Sequence, residues 1–388
     1  MHDIVVVGGG PAGCYAASLL GAKGFDVHVL EEDAVIGEPV DCSGVIGAES
    51  FSTLGLPDSL KLGEIRTLTF VSPSKLEFRF SPPSPLAYMI DRASFDRAIA
   101  DKTLASGVTL HLGSSVVDLE MPDGCVEVNF RETNGSRKIR ASMVILAGGP
   151  RYKLQRKLGM GQPGDFLRTA QVEVAIRGIN EPKVLMGSSV APGSFGWMVP
   201  FRRRNETFAR IGVSAKVGAV PYLEKILKQL HSDGHLSSPD VPIRSWVIPI
   251  TPLQRTFAGR VLAVGDAAGQ TKPTTGGGIF YGLLCAEAAA STAIAAFKSG
   301  DFSTGTMSKY EEEWRRRVGR EIKVGAFFRR LAERLSDGEI DDIFRIVQSD
   351  GILSAVTSKA RFDWHRDVIY FALRHPALGR IFLKGLFR

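Results

Sequence analysis

The stretch "DIVVVGGGPAGCYAASLLGAKGFDVHVLEE", Asp3 to Glu32, decides the architecture. Ile4 to Val7 form a short unbroken apolar run, the pattern of a strand buried on both faces of a parallel sheet. Gly8, Gly10 and Gly13 follow in a G-x-G-x-x-G arrangement, with Ala12 inside the same turn. Pro11 stands at a helix start, where its missing N–H costs least. The helix is expected to run to about Lys23 and to end at Gly24, before a second strand that finishes in Glu31. Gly8 permits the tight turn, Gly10 lets backbone approach a pyrophosphate, and Gly13 lets the helix pack on the sheet. Phosphates at this place meet free amides and the positive end of the helix dipole. Glu31, about 20 residues on, is positioned to accept from ribose hydroxyls. A ligand-free glycine turn and a solvated strand-end acid are the bland readings of the same residues. Strand, turn, helix, strand and acid together point to a bound dinucleotide.

A second stretch, "GRVLAVGDAAGQTKPTTGGGIFYG" (Gly259 to Gly282), repeats part of this logic. Val261 to Val264 read as another buried strand, followed by Gly265 and Asp266. A carboxylate accepts strongly from hydroxyl donors, although a turn acid or helix cap fits Asp266 taken alone. Gly276, Gly277 and Gly278 lead into a helix expected from about Ile279, with Thr274 and Thr275 as its expected caps. Amides at such a start can stabilise negative charge on a ligand pressed against them. A flexible hinge is the alternative reading of the glycines.

With 388 residues, 44% hydrophobic and 23% charged, the chain is long enough for two or three packed units. A net charge of +7 favours phosphates or an anionic membrane surface as partners. Nucleic acid is not expected, since no zinc-finger, basic-zipper or RNA-binding signature is visible. Cys14, Cys42, Cys125 and Cys285 are scattered, so neither structural zinc nor a disulfide framework is expected, and no metal site is assigned. A reducing cytoplasm fits this cysteine usage, and the N-terminal residues do not read as a signal peptide. The apolar window Ile279 to Phe297 contains Glu287 and many alanines and reads as a buried helix, not a membrane span.

The middle of the chain changes character. "AYMIDRASFDRAIADKTLASGVTLHLGSSVVDLE" returns to strand, helix, strand. Residues 165 to 250 alternate in a strand-rich way, interrupted by a helix near Val220 to Leu230. Beyond Thr306 the chain turns helical and basic. Its last segment interleaves Trp364, Ile369, Phe371, Leu378, Phe382 and Phe387 with Arg and His. Such a segment either packs on its own domain or lies on an anionic bilayer.

The Gly265–Asp266 turn resembles the second FAD motif of the para-hydroxybenzoate-hydroxylase-like flavoproteins, in which the acid binds a ribityl hydroxyl. By the same resemblance, Arg92 in "DRASFD" contacts FAD and Val116 lies near the adenine. In "ASMVILAGGPR" Gly148 stands where that family has Asp. No second G-x-G-x-x-G unit offers a separate nicotinamide domain, so the external reductant is left open between NAD(P)H and a ferredoxin-type donor. Three further stretches resemble the geranylgeranyl reductases. "EPVDCSG" is similar to their P-x-x-C loop and brings Cys42, Ser43 and Gly44 toward the flavin, with Cys42 a catalytic candidate or simply a small buried hydrophobe. "PGSFGWMVP" resembles P-x-x-Y-x-W-x-F-P, with Phe195 for Tyr and Val199 for Phe. "GDAAGQTKPTTGGGI" resembles their flavin-facing loop.

The resemblance implies a Rossmann-type FAD-binding domain (1–65, 88–158, 252–305), an inserted antiparallel-sheet substrate domain (66–87, 159–251) and a C-terminal helical region (306–388). It implies FAD as cofactor, and hydride transfer from reduced flavin to a carbon–carbon double bond of a prenyl lipid or prenyl diphosphate. Phe195, Trp197, Val199 and Pro200 would contact that substrate, unless Trp197 is plain sheet core. The Arg202 to Arg204 run either holds a diphosphate or is a solvated hairpin. Two alternatives share the fold: a flavin monooxygenase or halogenase, and a non-catalytic prenyl-binding protein.

Overall fold

A computed structural model describes residues 1–349 and 351–384, so Phe387 lies outside the described residues. The chain forms two compact units. One comprises Met1–Val40, Arg92–Asp165 and Pro249–Ile322; the other comprises Asp41–Asp91, Phe166–Ile248 and the described residues from Lys323 onward.

The first unit is built on an eight-stranded sheet. Strand His2–Val7 lies between Gly135–Leu146 and Val27–Leu30, parallel to both. Val261–Ala263 adds in parallel beyond Leu146, and Thr109–His111 beyond Leu30. The apolar run predicted as a doubly covered strand is such a strand: Ile4, Val5 and Val6 are wholly buried. Helix Pro11–Gly21 and the long helix Ile279–Ser299 pack together on this sheet. The latter is long and apolar enough to cross a membrane, but most of it is buried inside the unit. Its small residues explain the close packing: Gly282 lies against Gly265 and Ala12.

The second unit carries a seven-stranded sheet and a three-stranded sheet. In the larger, Phe166–Ala175, Glu206–Ala215 and Gly196–Arg203 run antiparallel in register. The period-2 alternation sorts their side chains into two faces. Met198, Ala209, Ile211 and Val213 turn to helix Val220–Ser232, whose Leu223, Leu227 and Leu230 close that core. Val199 and Phe201 turn the other way, with Trp197 and Phe208, onto Ile65, Ala87 and Met89 of the three-stranded sheet.

The C-terminal helices pack on this same unit. Asp341 accepts from Ser72 and Ser74, Asp337 from Ser188, and the buried Asp363 from Ser50. Ile369, Leu378 and Phe382 are buried in that packing.

Candidate functional site

The first glycine loop shows which of its glycines the protein needs for itself. A Cβ on Gly13 would stand 2.0 Å from the Gly8 carbonyl oxygen, and Gly8 has φ +104. Both are forced by strand–helix packing. Gly10 differs: it is the N-cap of its helix, no side chain caps it, and nothing lies within 4 Å of where its Cβ would be. The chain itself therefore gives no steric reason for glycine there. Open space before uncapped helix amides is what an approaching anion requires.

The second strand ends at Leu30, one residue before Glu31, whose carboxylate accepts from the amides of Gly9 and Asp33. Burial raises its pKa, and the two amide bonds oppose that rise. Its backbone carbonyl accepts from Ser114, two residues before Val116. Val116 sits in strand Ser115–Glu120, half-buried and paired with Phe130.

The second motif forms a short 3-10 turn, Gly265–Ala268, rather than part of the long helix. Its frame is tightly held. Tyr152 donates to the Asp266 carbonyl at 2.8 Å, Gln155 to the Ala267 carbonyl at 3.0 Å, and the Gly265 amide to Gln270 at 2.9 Å. The Asp266 carboxylate is treated differently. Burial pushes its pKa up to about 6, the Arg92 guanidinium pulls it down, and among the described residues no hydrogen bond contributes. Arg92 itself grips Asp96 through both carboxylate oxygens at 2.9 to 3.2 Å. A partly buried acid without a hydrogen-bond donor is costly unless something outside the protein supplies one.

The glycine triplet is shaped around this acid. A Cβ on Gly278 would meet Asp266 Oδ1 at 2.7 Å, and one on Gly277 would meet the Lys272 side chain at 2.6 Å. Gly276 takes φ +75, and Thr275 Oγ1 accepts from the Gly277 amide at 3.4 Å. This corrects the expected capping. Gly278 is the N-cap of helix Ile279–Ser299 and no side chain caps it, because the left-handed turn at Gly276 leaves Thr274 and Thr275 upstream of the helix start. Sequence reasoning passed over Lys272, which is 4% exposed. Its only sequence signal was a lysine among glycines with no apolar reason to be buried.

In the second unit, Trp197 lies over Gly212 on the neighbouring strand; a Cβ there would stand 2.2 Å from the indole. Gln171 pairs with Gly212 from the other side. The Trp197 Nε1 donor and the Gln171 Oε1 acceptor are both buried and, among the described residues, without a hydrogen-bond partner. Phe195 packs 6.2 Å from Trp197 between ring centroids, and its carbonyl accepts from Ser214. Pro200 is half-buried beside buried Val199.

One position further along the same face, Arg210 stands opposite Val199 and Glu173. It is 4% exposed, pairs with Glu173 at 2.9 Å and donates to the Ser43 carbonyl at 3.0 Å. A Cβ on Gly44 would stand 2.0 Å from its guanidinium. The Cys42–Gly44 loop is thus held by an arginine that nothing in the local sequence marks. Cys42 Sγ accepts from the Gly44 amide at 3.4 Å. The Arg202 to Arg204 run is a hairpin: Arg204 and Asn205 take φ +47 and +68, and Arg203 pairs with Glu173.

These features fit a flavin dinucleotide, and comparison with known proteins agrees. A model of the FAD binding domain matches residues 1–323. The chain belongs to this family of flavoproteins and, within it, to the geranylgeranyl reductases. It is 30% identical to digeranylgeranylglycerophospholipid reductase 2 of Methanothermobacter thermautotrophicus, over 91% of this chain and 93% of that protein. Among solved structures it resembles a geranylgeranyl bacteriochlorophyll reductase-like protein of Thermoplasma acidophilum (TM-score 0.85, 21% identity, 99% of each chain). It also resembles a p-nitrophenol 4-monooxygenase of Pseudomonas putida (TM-score 0.72, 18% identity, 92% and 97%), a likeness of fold. The chain is an FAD-dependent oxidoreductase of the geranylgeranyl reductase type.

Proposed function

We propose that this reductase saturates carbon–carbon double bonds in geranylgeranyl-type chains, carried on a glycerophospholipid or a diphosphate. The observation that carries the substrate class is its near full-length similarity to digeranylgeranylglycerophospholipid reductases. FAD, when bound and reduced, supplies the hydride. In our reading the chain does the rest by holding and orienting. The Gly10 amide edge and the start of helix Pro11–Gly21 hold the phosphates, with Ala12 and Gly13 behind them. Glu31 accepts from the ribose, Arg92 contacts the dinucleotide, and Val116 flanks the adenine. Asp266 accepts from a ribityl hydroxyl, which supplies the donor it lacks. The uncapped amides of Gly278 and Ile279 stabilise negative charge on the ring.

Phe195, Trp197, Val199 and Pro200 provide apolar area for a chain that has no polar handle. An unactivated alkene is a poor hydride acceptor, so alignment must supply much of the rate. Cys42, Ser43 and Gly44, fixed by Arg210, limit access to the reacting carbons. The external reductant is a nicotinamide or a ferredoxin-type donor, and stopped-flow reduction by each separates them. The protein works in the cytoplasm and meets its lipid at an anionic bilayer through the basic C-terminal helices. Removing the chain after Phe362 then lowers co-sedimentation with anionic vesicles; unchanged binding rejects that surface.

The deciding experiment is anaerobic reduction with dithionite in the presence of candidate prenyl lipids, read by mass spectrometry. A gain of one hydrogen molecule per double bond supports the proposal. Hydroxylated or halogenated product appearing only with oxygen, and no saturation without it, would overturn it in favour of a monooxygenase or halogenase.

A further inference from the structure

A second constellation lies at the other end of the same parallel strands. His2 opens the first strand, Asp26 precedes the second and His28 lies within it. Parallel pairing of Ile4 with Val27 and Val5 with His28 brings them together. The Asp26 backbone is clamped there: its carbonyl accepts from the amides of Asp3 and Ile4 at 3.2 and 3.1 Å, and its amide donates to Asp3 Oδ2 at 2.9 Å. We infer that His2, Asp26 and His28 form a binding site for one divalent transition-metal ion of the zinc class.

The geometry meets the requirements of such a site. One ligand atom from each residue lies within 4.8 Å of the others. His2 Nδ1 is 2.7 Å from Asp26 Oδ2, and His28 Nε2 is 3.3 Å from Asp26 Oδ1. Tetrahedral zinc, with bonds of about 2.0–2.2 Å, sets its ligand atoms roughly 3.3 Å apart, so small side-chain rotations suffice. The ion replaces the proton between His2 and Asp26, and His2 then keeps its proton on Nε2.

An outer partner is already in place. His28 Nδ1 is 2.8 Å from His111 Nε2, on the next strand, which fixes the ring and leaves Nε2 for the metal. The side chains of His2 and Asp26 are 32% and 56% exposed, so ions can enter and water can complete the coordination. Two imidazoles and one carboxylate select zinc, cobalt, nickel or copper over magnesium or calcium. His2 begins the strand whose far end gives Gly8, roughly 20 Å away at the rise of a strand. The ion therefore clips two strands and takes no part in redox chemistry.

The test is calorimetric titration of the flavin-loaded full chain, without a histidine tag, with zinc chloride and, in parallel, magnesium chloride. One equivalent of zinc and no magnesium is expected. His2→Ala or His28→Ala should lower the affinity far more than tenfold, and His111→Ala about tenfold. Flavin absorbance and circular dichroism report whether each variant folds. If His28→Ala misfolds, the exposed Asp26→Asn decides, with an expected loss of at least tenfold. No zinc heat above the magnesium control overturns the inference. So does zinc binding that survives both histidine changes, which would assign it to the cysteines or to scattered surface groups.

Discussion

The glycine-loop unit and the antiparallel-sheet unit fix a precise local surface in opposite ways. In the first, contiguous residues set the surface: Gly8 to Gly13 and Gly265 to Gly278 shape it by the side chains they lack. In the second, residues far apart in sequence set it. Trp197 needs Gly212, and the Cys42–Gly44 loop needs Arg210, which in turn needs Glu173. The difference teaches that a cofactor seat can be written as a motif, whereas the packing of a sheet face is written as pairs.

The contrast can be broken most severely at Gly13. Gly13→Val drives a side chain into the Gly8 carbonyl, and we expect FAD affinity to fall by more than about 100-fold, near 3 kcal/mol. Flavin absorbance of the purified protein measures this; retained flavin would mean that the loop tolerates what the packing forbids. Next comes Arg210→Leu in the other unit. It leaves Glu173 with Arg203 alone and takes the buried donor from the Ser43 carbonyl, so the expected cost is about 2 kcal/mol in urea unfolding, with flavin still bound. Arg210→Lys should recover part of the loss, since the charge survives while the fork does not.

Sharper still is a double-mutant cycle. Gly212→Ala clashes with the indole and should cost about 1–2 kcal/mol, relieved when combined with Trp197→Leu. Additive losses would deny that the two act as a pair. Trp197→Leu alone should slow turnover of long prenyl chains while leaving flavin in place.

The smallest effect concerns pH. The Asp266 pKa of about 6 is raised above its ordinary 3.8, so the flavin-free fold gains stability as pH falls from about 6 toward 4. Cofactor affinity moves the opposite way if the carboxylate form accepts the hydroxyl. Between pH 7 and 5 it should weaken about tenfold, and Asp266→Asn should flatten that dependence. Calorimetric FAD titrations at several pH values decide it.

The legibility of the molecule follows the same division. The parallel strand at Ile4, the turn at Gly8 and the long alanine-rich helix were readable because period, turn chemistry and burial all lie within a dozen neighbouring residues. The helix start at Ile279 was read correctly, but the capping by Thr274 and Thr275 was misjudged because they lie four and three residues before the N-cap Gly278, with the left-handed Gly276 between. Lys272 and Arg210 were invisible because a buried cation looks like any surface cation until its partners fold around it. The His2–Asp26–His28 cluster was hidden for a related reason: spacing rules look along the chain, and here the pairing of strands makes the neighbourhood.

The indole resting on Gly212 also bears on how this sheet can change. Neither member of the couple can be altered freely, since a bulkier residue at 212 needs a smaller one at 197, and a smaller one at 197 uncovers bare backbone at 212. Remodelling this face of the sheet would have to proceed by joint replacements on adjacent strands, so a library that varies these positions together should yield more folded variants than one that scans them singly.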